Sequence, residues 1–580
     1  MDKYDSVIEL AKRRGFLWNS FEIYGGTAGF YDYGPLGAML KRRIENIWRD
    51  VYVINEGYYE IESPTIGIED VFVASGHVGG FSDPLSECAK CHEAFRADHL
   101  IRHIVSNPDT LCCDDLVRII RENNITCPEC GGKLGNVYEF NLMFRTFIGP
   151  GLKRIGYLRP ETAQGMFVDF PRLLRFYREK LPFGVTQIGK AYRNEISPRQ
   201  GIIRLREFTQ AEAEIFIDPK DKTHPDFDII KDYSVMLYSE SAQESDKGAV
   251  EMTLENAVSE GIIAHQYLAY AIYNTQEFLL RVGVSPERLR FRQHMKDEMA
   301  HYAIDCWDAE ILSGRFGWVE IVGIADRTDY DLMTHSKVSK VDLSVYMEYD
   351  EPKIVEKLSI KPDMGKIGPV FKQKARSIVE ALQSLDVDEL NKDEIIITVD
   401  GEDVVISPDM VEVKQVSETI RGENIVPHVI EPSFGIDRII YSVLEHAYRE
   451  EMVEEENETR IVLGLKPEIA PIQVAILPLL TRQELIEPAR KIESSLRKKG
   501  VMVSYDDSGT IGRRYRRNDE IGTPYSITID YDTLEDATVT IRDRDSMEQV
   551  RSRIDIIADT VHDLITGNIA FEDAGSPVEK

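Results

Sequence analysis

No apolar run in this 580-residue chain approaches the roughly 20 residues that a membrane-spanning helix needs. The amino-terminal stretch MDKYDSVIELAKRRGF has no apolar h-region, so no secretory signal is visible. Both absences point to a cytoplasmic protein. Cysteine is scarce: there are seven, and an odd count in a large unsecreted chain argues against a disulfide framework. Positive charge is short as well, with 69 lysines and arginines against 100 acidic residues and a net charge of −31. That balance argues against indiscriminate nucleic-acid binding. It leaves room for an RNA partner, because RNA contact needs only a local basic surface. Arg513, Arg514, Arg516 and Arg517 form such a patch. A content of 43% hydrophobic and 29% charged residues is that of a soluble globular protein. The length exceeds one core and suggests about three or four domains.

The densest chemistry lies between Phe183 and Ile217, in FGVTQIGKAYRNEISPRQGIIRLREFTQAEAEIFI. The pattern predicts two strands joined by a polar loop. On the first, Arg193 and Glu195 share one face and Asn194 takes the other. In the loop, Pro198 and Gly201 suit a turn and not a helix. On the return strand Arg206, Phe208, Gln210, Glu212 and Glu214 share one parity. Thr209, Ala211, Ala213, Ile215 and Ile217 share the other and would face a core. The first set is a row that is expensive to desolvate unless something binds there. A solvated face is the ordinary reading of an arbitrary charged hairpin.

Four further segments carry signals. The strand NIVPHVIEPS enters a helix marked by Ile436, Ile439, Ile440, Val443, Leu444 and Ala447 at helical spacing. Ser433 is placed to cap that helix. Arg438 projects from its first turn, where the helix dipole favours anions. Cys88, Cys91, Cys127 and Cys130 form two CxxC pairs with the spacing of a four-thiolate zinc site. A thioredoxin-like role would need one CxxC in a βαβ setting, which is not seen. Near the amino terminus, Leu36, Leu40, Ile44, Ile47 and Val51 mark a helix that runs into a short strand stopped by Pro64. Residues 470–580 alternate strands and helices, which implies an α/β domain of about 100 residues.

YRNE followed by RLREF resembles motif 2 of the class II aminoacyl-tRNA synthetases. RPETAQG at 159–165, and EPSFGIDR at 431–438, which resembles motif 3, narrow the likeness to the homodimeric glycyl branch of that family. The resemblance covers nearly the whole chain. It implies an α+β fold, with an antiparallel-sheet catalytic domain, insertions, and a C-terminal anticodon-binding domain. The catalytic pieces would be 1–82 with motif 1, 151–217, 311–350 and 421–460. A zinc-binding insertion would occupy 83–150, a largely helical one 218–310, a β-rich one 351–420, and the anticodon domain 470–580. The acidic stretch 452–460 would serve as linker or exposed helix.

The same resemblance implies an enzyme that activates glycine with ATP and Mg2+ and loads it onto tRNA(Gly), with a structural Zn2+ and a homodimeric assembly. Arg193 would hold the α-phosphate and the substrate carboxylate through a bidentate fork. Arg206 and Arg438 would hold the outer phosphates, with Arg438 stacking on adenine opposite Phe208. Arg193 and Arg438 are the expected catalytic pair. Glu195 would read the adenine amino group beside Arg204, and Glu320 would ligate magnesium. Asn194, Ile203, Leu205, Glu207, Ile321, Gly435, Ile436 and Asp437 complete the expected ATP site. For glycine, Arg96 would reach the substrate, and Glu161, Glu212, Glu431 and Ser433 would line a narrow pocket that holds the ammonium and excludes a methyl group. Phe208, Gln210, Arg327, Pro432 and Gly435 complete that pocket. A threonyl or prolyl enzyme is the nearest alternative, and RPETAQG with EPSFGIDR argues against both. A non-catalytic tRNA-binding paralogue would usually lose the motif arginines, and Arg193, Arg206 and Arg438 are all present.

Overall fold

The computed structural model describes residues 2–105, 107–108, 111–151, 154–196, 198, 201–299, 303–385, 395–399, 401–453 and 458–578. The chain divides into two compact units, residues 1–343 with 426–580, and residues 344–425.

The apolar alternation read in the sequence builds a nine-stranded sheet in the first unit. Its strands are β1 (Tyr59–Glu60), β2 (Phe183–Tyr192), β3 (Glu207–Ile217), β4 (Ser234–Tyr238), β5 (Val250–Thr253), β6 (Leu289–Gln293), β7 (Cys306–Ser313), β8 (Gly317–Asp326) and β9 (His428–Gly435). They lie in the order β5-β4-β6-β7-β8-β9-β3-β2-β1. The pairings β1–β2 and β4–β6 are parallel and the other six antiparallel. One face of the sheet is covered by helices α1 (Pro35–Arg49), α2 (Gln266–Arg281) and α3 (Ile436–Ala447), and the apolar parity of β3 packs there with Leu40, Ile44, Trp48, Phe278 and Ile440. Proline at N1 starts α1, as its fixed φ favours. Its backbone passes so close to Phe16 that a methyl group on Gly37 would lie 1.8 Å from the Phe16 carbonyl oxygen. With α helices on one side, the polar parity of β3 is left on the opposite face, and that is where the candidate site lies.

Four local expectations are corrected. The first hairpin strand ends at Tyr192, so Arg193 and Glu195 stand on the loop beyond it, where the Glu195 amide donates to the Arg193 carbonyl at 2.7 Å. The loop includes a 3-10 turn at Gly201–Ile203, not only the turn that Pro198 and Gly201 suggested; Ser197, Arg199 and Gln200 lie outside the described residues. Ser433 does not cap α3, whose N-cap is Gly435 without a side-chain bond; it stays in β9, and its hydroxyl donates to Glu212 instead. Residues 218–310, expected to be largely helical, supply β4, β5, β6 and the start of β7 to the sheet. These strands are short, and the apolar α2 between them dominated the sequence pattern.

The smaller parts have cores of their own. Around the CxxC pairs, strands Ser82–Cys88, Ala94–Arg96 and Leu134–Asn141 form a three-stranded sheet against the helix Cys113–Glu122, with Phe95, Ile101, Leu116 and Ile120 buried. The C-terminal part is a six-stranded sheet in the order Val503–Tyr505, Val474–Pro478, Tyr525–Ile529, Thr538–Asp543, Gln549–Arg553, Ser576–Pro577. Its first three strands are mutually parallel, as strand–helix alternation requires. The second unit pairs the long strands Val345–Pro362 and Val411–Ile425, and adds a hairpin and two helices around Ile360, Ile367, Ile378 and Ile397. The acidic stretch is neither linker nor exposed helix where it is described: its flanks lie in the antiparallel strands Tyr448–Val453 and Glu458–Leu463, while residues 386–394 and 454–457 lie outside the described residues.

Candidate active site

The site forms where β2, β3, β8 and β9 lie side by side. Register places Glu212 between Gln187 and Ser433, and Gln210 between Gly189 and Gly435. Directly paired residues share a face, so the polar parity of β3 meets that of β9.

One cavity is lined by Arg193, Glu195, Ile203, Arg204, Leu205, Phe208, Gln210, Glu320, Ile321, Ser433, Gly435, Asp437 and Arg438. Thirteen separately expected residues thus converge, joined by Ile202, Thr209 and Gly323, which were not expected. Arg193 donates to the Pro160 carbonyl at 3.3 Å and lies over the Phe208 ring, 5.4 Å from its centroid. Arg204 pairs with Glu195 at 3.2 Å. Arg438 donates to the carbonyls of Ile203 and Glu320 at 3.0 and 2.8 Å, and stands 3.4 Å from the Glu320 carboxylate. A backbone acceptor holds the Arg193 guanidinium without consuming its charge, which leaves it able to meet anionic oxygens, whereas Arg204 and Arg438 each face a carboxylate as well.

Several expected residues stand elsewhere. Arg206 donates to the carbonyls of Glu195 and Ala28 and is not part of the cavity lining; it braces the loop that carries Glu195. Glu207 pairs with Lys190 at 3.2 Å and lines a separate groove. Ile436 is fully buried in the core under α3, and Asn194 is fixed through its amide to Leu142. Asp437 reaches the cavity wall, but its carboxylate accepts from the Tyr33 hydroxyl and the Thr209 amide, so it ties α3 to the sheet. Pro432 pairs with Ile324, and strand alternation puts it on the face opposite Glu431 and Ser433.

Beside the cavity lies an acidic cluster. Glu212 is 1% exposed. Its Oε2 accepts from the amide (2.8 Å) and hydroxyl of Thr162, and its Oε1 from the Ser433 hydroxyl at 2.6 Å. Burial, and then Glu161, raise its pKa. Arg327 donates to Asp331 and to Glu431, both at 2.8 Å. Burial nonetheless pushes the Glu431 carboxyl up to about 7 against the pull of Arg327. Glu161 accepts from Gln164 at 2.8 Å and faces His77 at 3.5 Å; burial opposes its ionisation, but His77 and Arg327 hold its carboxyl well below the usual range. Glu214 is fully buried with neither oxygen hydrogen-bonded among the described residues, and burial, then Glu431, push it well above the usual range. The Gln210 Oε1 is likewise buried without a described donor. Several carboxylates around one guanidinium leave a net negative pocket, which suits a small cation with hydrogen atoms to donate. Arg96, bracketed by Asp98 at 2.7 Å and Asp83 at 3.1 Å, stays within the small three-stranded unit.

His77, Thr162, Gln164, Asp331 and His335 belong to this network and were not singled out from the sequence. Thr162 and Gln164 lie inside RPETAQG and could have been. Asp331 and His335 are i, i+4 on one helix and four and eight residues beyond Arg327, a usable signal. His77 carries none.

The four cysteine sulfurs lie within 4.8 Å of one another, with Cys88–Cys130 at 3.5 Å and Cys91–Cys127 at 3.6 Å. Tetrahedral ligands bonded at about 2.3 Å would lie roughly 3.7 Å apart, so the donor set fits zinc.

An antiparallel sheet with an arginine-lined cavity on one face, backed by a helix that begins at the cavity wall, defines a class II aminoacyl-tRNA synthetase core. The comparisons agree. Residues 151–447 match the tRNA synthetase class II core domain (G, H, P, S and T), and residues 473–564 match an anticodon binding domain. In fold the chain is similar to a prolyl-tRNA synthetase from Cryptosporidium parvum complexed with L-proline and AMP, with a TM-score of 0.51 at 12% identity, covering 98% of this chain and 77% of that one. It is 62% identical over 580 residues to a glycine--tRNA ligase of Methanothrix thermoacetophila, with both chains fully covered. A glycine--tRNA ligase of Methanocaldococcus jannaschii is 52% identical, over 96% of this chain and 98% of its own. The chain belongs to the glycine--tRNA ligase family of class II synthetases.

Proposed function

We propose that the protein joins glycine to tRNA(Gly) in two steps, at the expense of ATP. The glycine carboxylate attacks the α-phosphorus of ATP, forming glycyl-adenylate and releasing pyrophosphate. The 3′-terminal ribose hydroxyl of the tRNA then takes the glycyl group, and AMP leaves. The observation that carries this reading is the adjacency of two pockets on one sheet face. Gln210 and Ser433 line the arginine-rich cavity, and Glu212, paired with Ser433, heads the acidic cluster. A zwitterionic amino acid spanning them would put its ammonium among carboxylates and its carboxylate beside Arg193.

The chemistry demands positioning and charge neutralisation more than proton transfer. Arg193 and Arg438 would neutralise phosphate oxygens, and Phe208 would stack on adenine. Glu320 would hold magnesium, which neutralises phosphate charge when bound. Glu161, Glu212 and Glu431 would hold the ammonium, and the packing around Glu212 and Ser433 would leave no volume for a larger side chain. Zinc would be bound by Cys88, Cys91, Cys127 and Cys130, away from the reaction. We read the assembly as a homodimer in the cytoplasm, with the C-terminal domain meeting the anticodon. The test is acylation of a tRNA(Gly) transcript with labelled glycine and ATP. Acid-stable transfer of label is expected. Efficient charging of a different tRNA by another amino acid, with none by glycine, would refute the reading.

A further inference from the structure

Two strands away from the acidic cluster, on the same sheet face, lies a set of side chains that the proposed reaction does not use. Asp308 pairs with Gly323, and Gly323 pairs with Ser433. Cys306 pairs with Ala325, and Ala325 pairs with Glu431. These unbroken rows put Cys306 and Asp308 on the face of Ser433 and Glu431, about 10 Å away at the spacing of neighbouring strands. Only a glycine and an alanine stand between. His294 follows β6 and is joined to the start of β7, its amide donating to the Cys306 carbonyl at 2.9 Å. Its Nε2 lies 2.9 Å from the Asp308 carboxylate. The imidazole nitrogen, the thiol and the carboxylate oxygen all lie within 4.8 Å of one another.

We propose that His294, Cys306 and Asp308 bind a divalent metal ion of the zinc type on the substrate face of the sheet. One nitrogen, one sulfur and one oxygen donor make a set that zinc accepts, and at bonds of about 2.0–2.3 Å they would lie roughly 3.3–3.8 Å apart. Small side-chain rotations would bring the widest pair, within 4.8 Å, closer by about 1 Å and open the 2.9 Å His294–Asp308 contact by a few tenths of an ångström. Cys306 and Asp308 are two apart on one strand, so β7 presents both to the same side, and the cross-strand bond fixes His294 opposite. Three protein ligands leave a fourth position for water or an anionic oxygen, as in sites where zinc meets a substrate. His294 and Cys306 are half-buried, which gives that position access. Arg292 stands 3.9 Å from Asp308, and it donates to both oxygens of Glu298. The simpler arrangement is an ion pair with a bystander thiol, and the two differ in metal content.

The full-length protein is loaded with Zn2+, freed of excess by gel filtration, and its metal content measured against protein. Cys306→Ser and Asp308→Asn should each carry one zinc per chain fewer than the unaltered protein. Cys88→Ser, at the four-thiolate set, should show a separate deficit that adds to that of Cys306→Ser in the double variant. The count at the new set is read as a difference, so it stands whether or not the four cysteines hold metal. Asp308→Asn preserves shape, so a loss of metal there with an unchanged circular dichroism spectrum is not misfolding. Equal zinc counts in the unaltered protein, Cys306→Ser and Asp308→Asn would overturn the proposal.

Discussion

Replacing Glu212 by glutamine changes one charge and almost no volume. All three described hydrogen bonds to Glu212 come from neutral donors, the Thr162 amide and hydroxyl and the Ser433 hydroxyl. No described hydrogen bond from a protein cation therefore offsets its charge, and a bound ammonium would. In Glu212→Gln the amide oxygen still accepts from the Thr162 amide, and the amide nitrogen donates to Ser433, so the local structure persists. What disappears is a charge-assisted hydrogen bond to substrate, at about 1.5–3 kcal/mol, or on the order of 10- to 100-fold in affinity. The KM for glycine should rise by that factor in ATP–pyrophosphate exchange, with a much smaller change in the KM for ATP and no activity with alanine. Stability should move the other way. Burial raises the pKa of Glu212. An acid raised in the folded state adds stability below its unfolded pKa and loses it as pH rises through the folded value. Near pH 8 the glutamine variant should therefore melt no lower than the parent. A clear drop in Tm with an unchanged KM for glycine would make Glu212 a structural residue and refute the pocket.

Four further predictions concern other parts. Arg193→Ala should abolish adenylate formation in a folded protein, a loss of roughly 3 kcal/mol or more by analogy with oxyanion donors; near-normal exchange would refute its role. Cys88→Ser should lose zinc and expose the three-stranded unit to hydrogen exchange while the nine-stranded sheet stays protected, because metal binding is coupled to local folding; uniform protection would show the thiols to be bystanders. Arg514 is 2% exposed and donates to the carbonyls of Pro478 and Gly509, so Arg514→Ala should lower the Tm of the C-terminal domain. Arg513 is exposed, so Arg513→Ala should weaken tRNA charging and spare exchange; equal loss in both assays would remove it from the tRNA surface.

How much was legible depended on how local each signal was. The helix Ile436–Ala447 starts and ends with its apolar pattern, because that pattern and its burial have one cause. The return strand's two faces also emerge as read, since alternation is a property of the backbone. Arg193 and Glu195 defeat the same rule, because the strand stops one residue earlier and the loop turns back on itself. The patch at 513–517 reads as four exposed charges, but a helix sends Arg514 inward, and Arg517 turns to Asp506 and Ser508. Ser433 looks like a cap only until its strand partner Glu212 is known. His77 meets Glu161 through tertiary packing alone, and no sequence spacing encodes that contact.

The proposed function requires a pocket that admits only the smallest amino acid beside a site for ATP. Amino-acid-dependent ATP–pyrophosphate exchange, run with glycine, alanine, serine, threonine and proline in the absence of tRNA, tests both at once. Glycine should support exchange, and the others should fall at or near background, because a steric clash rejects larger side chains sharply. Exchange with threonine or proline at or above the glycine rate would contradict the account.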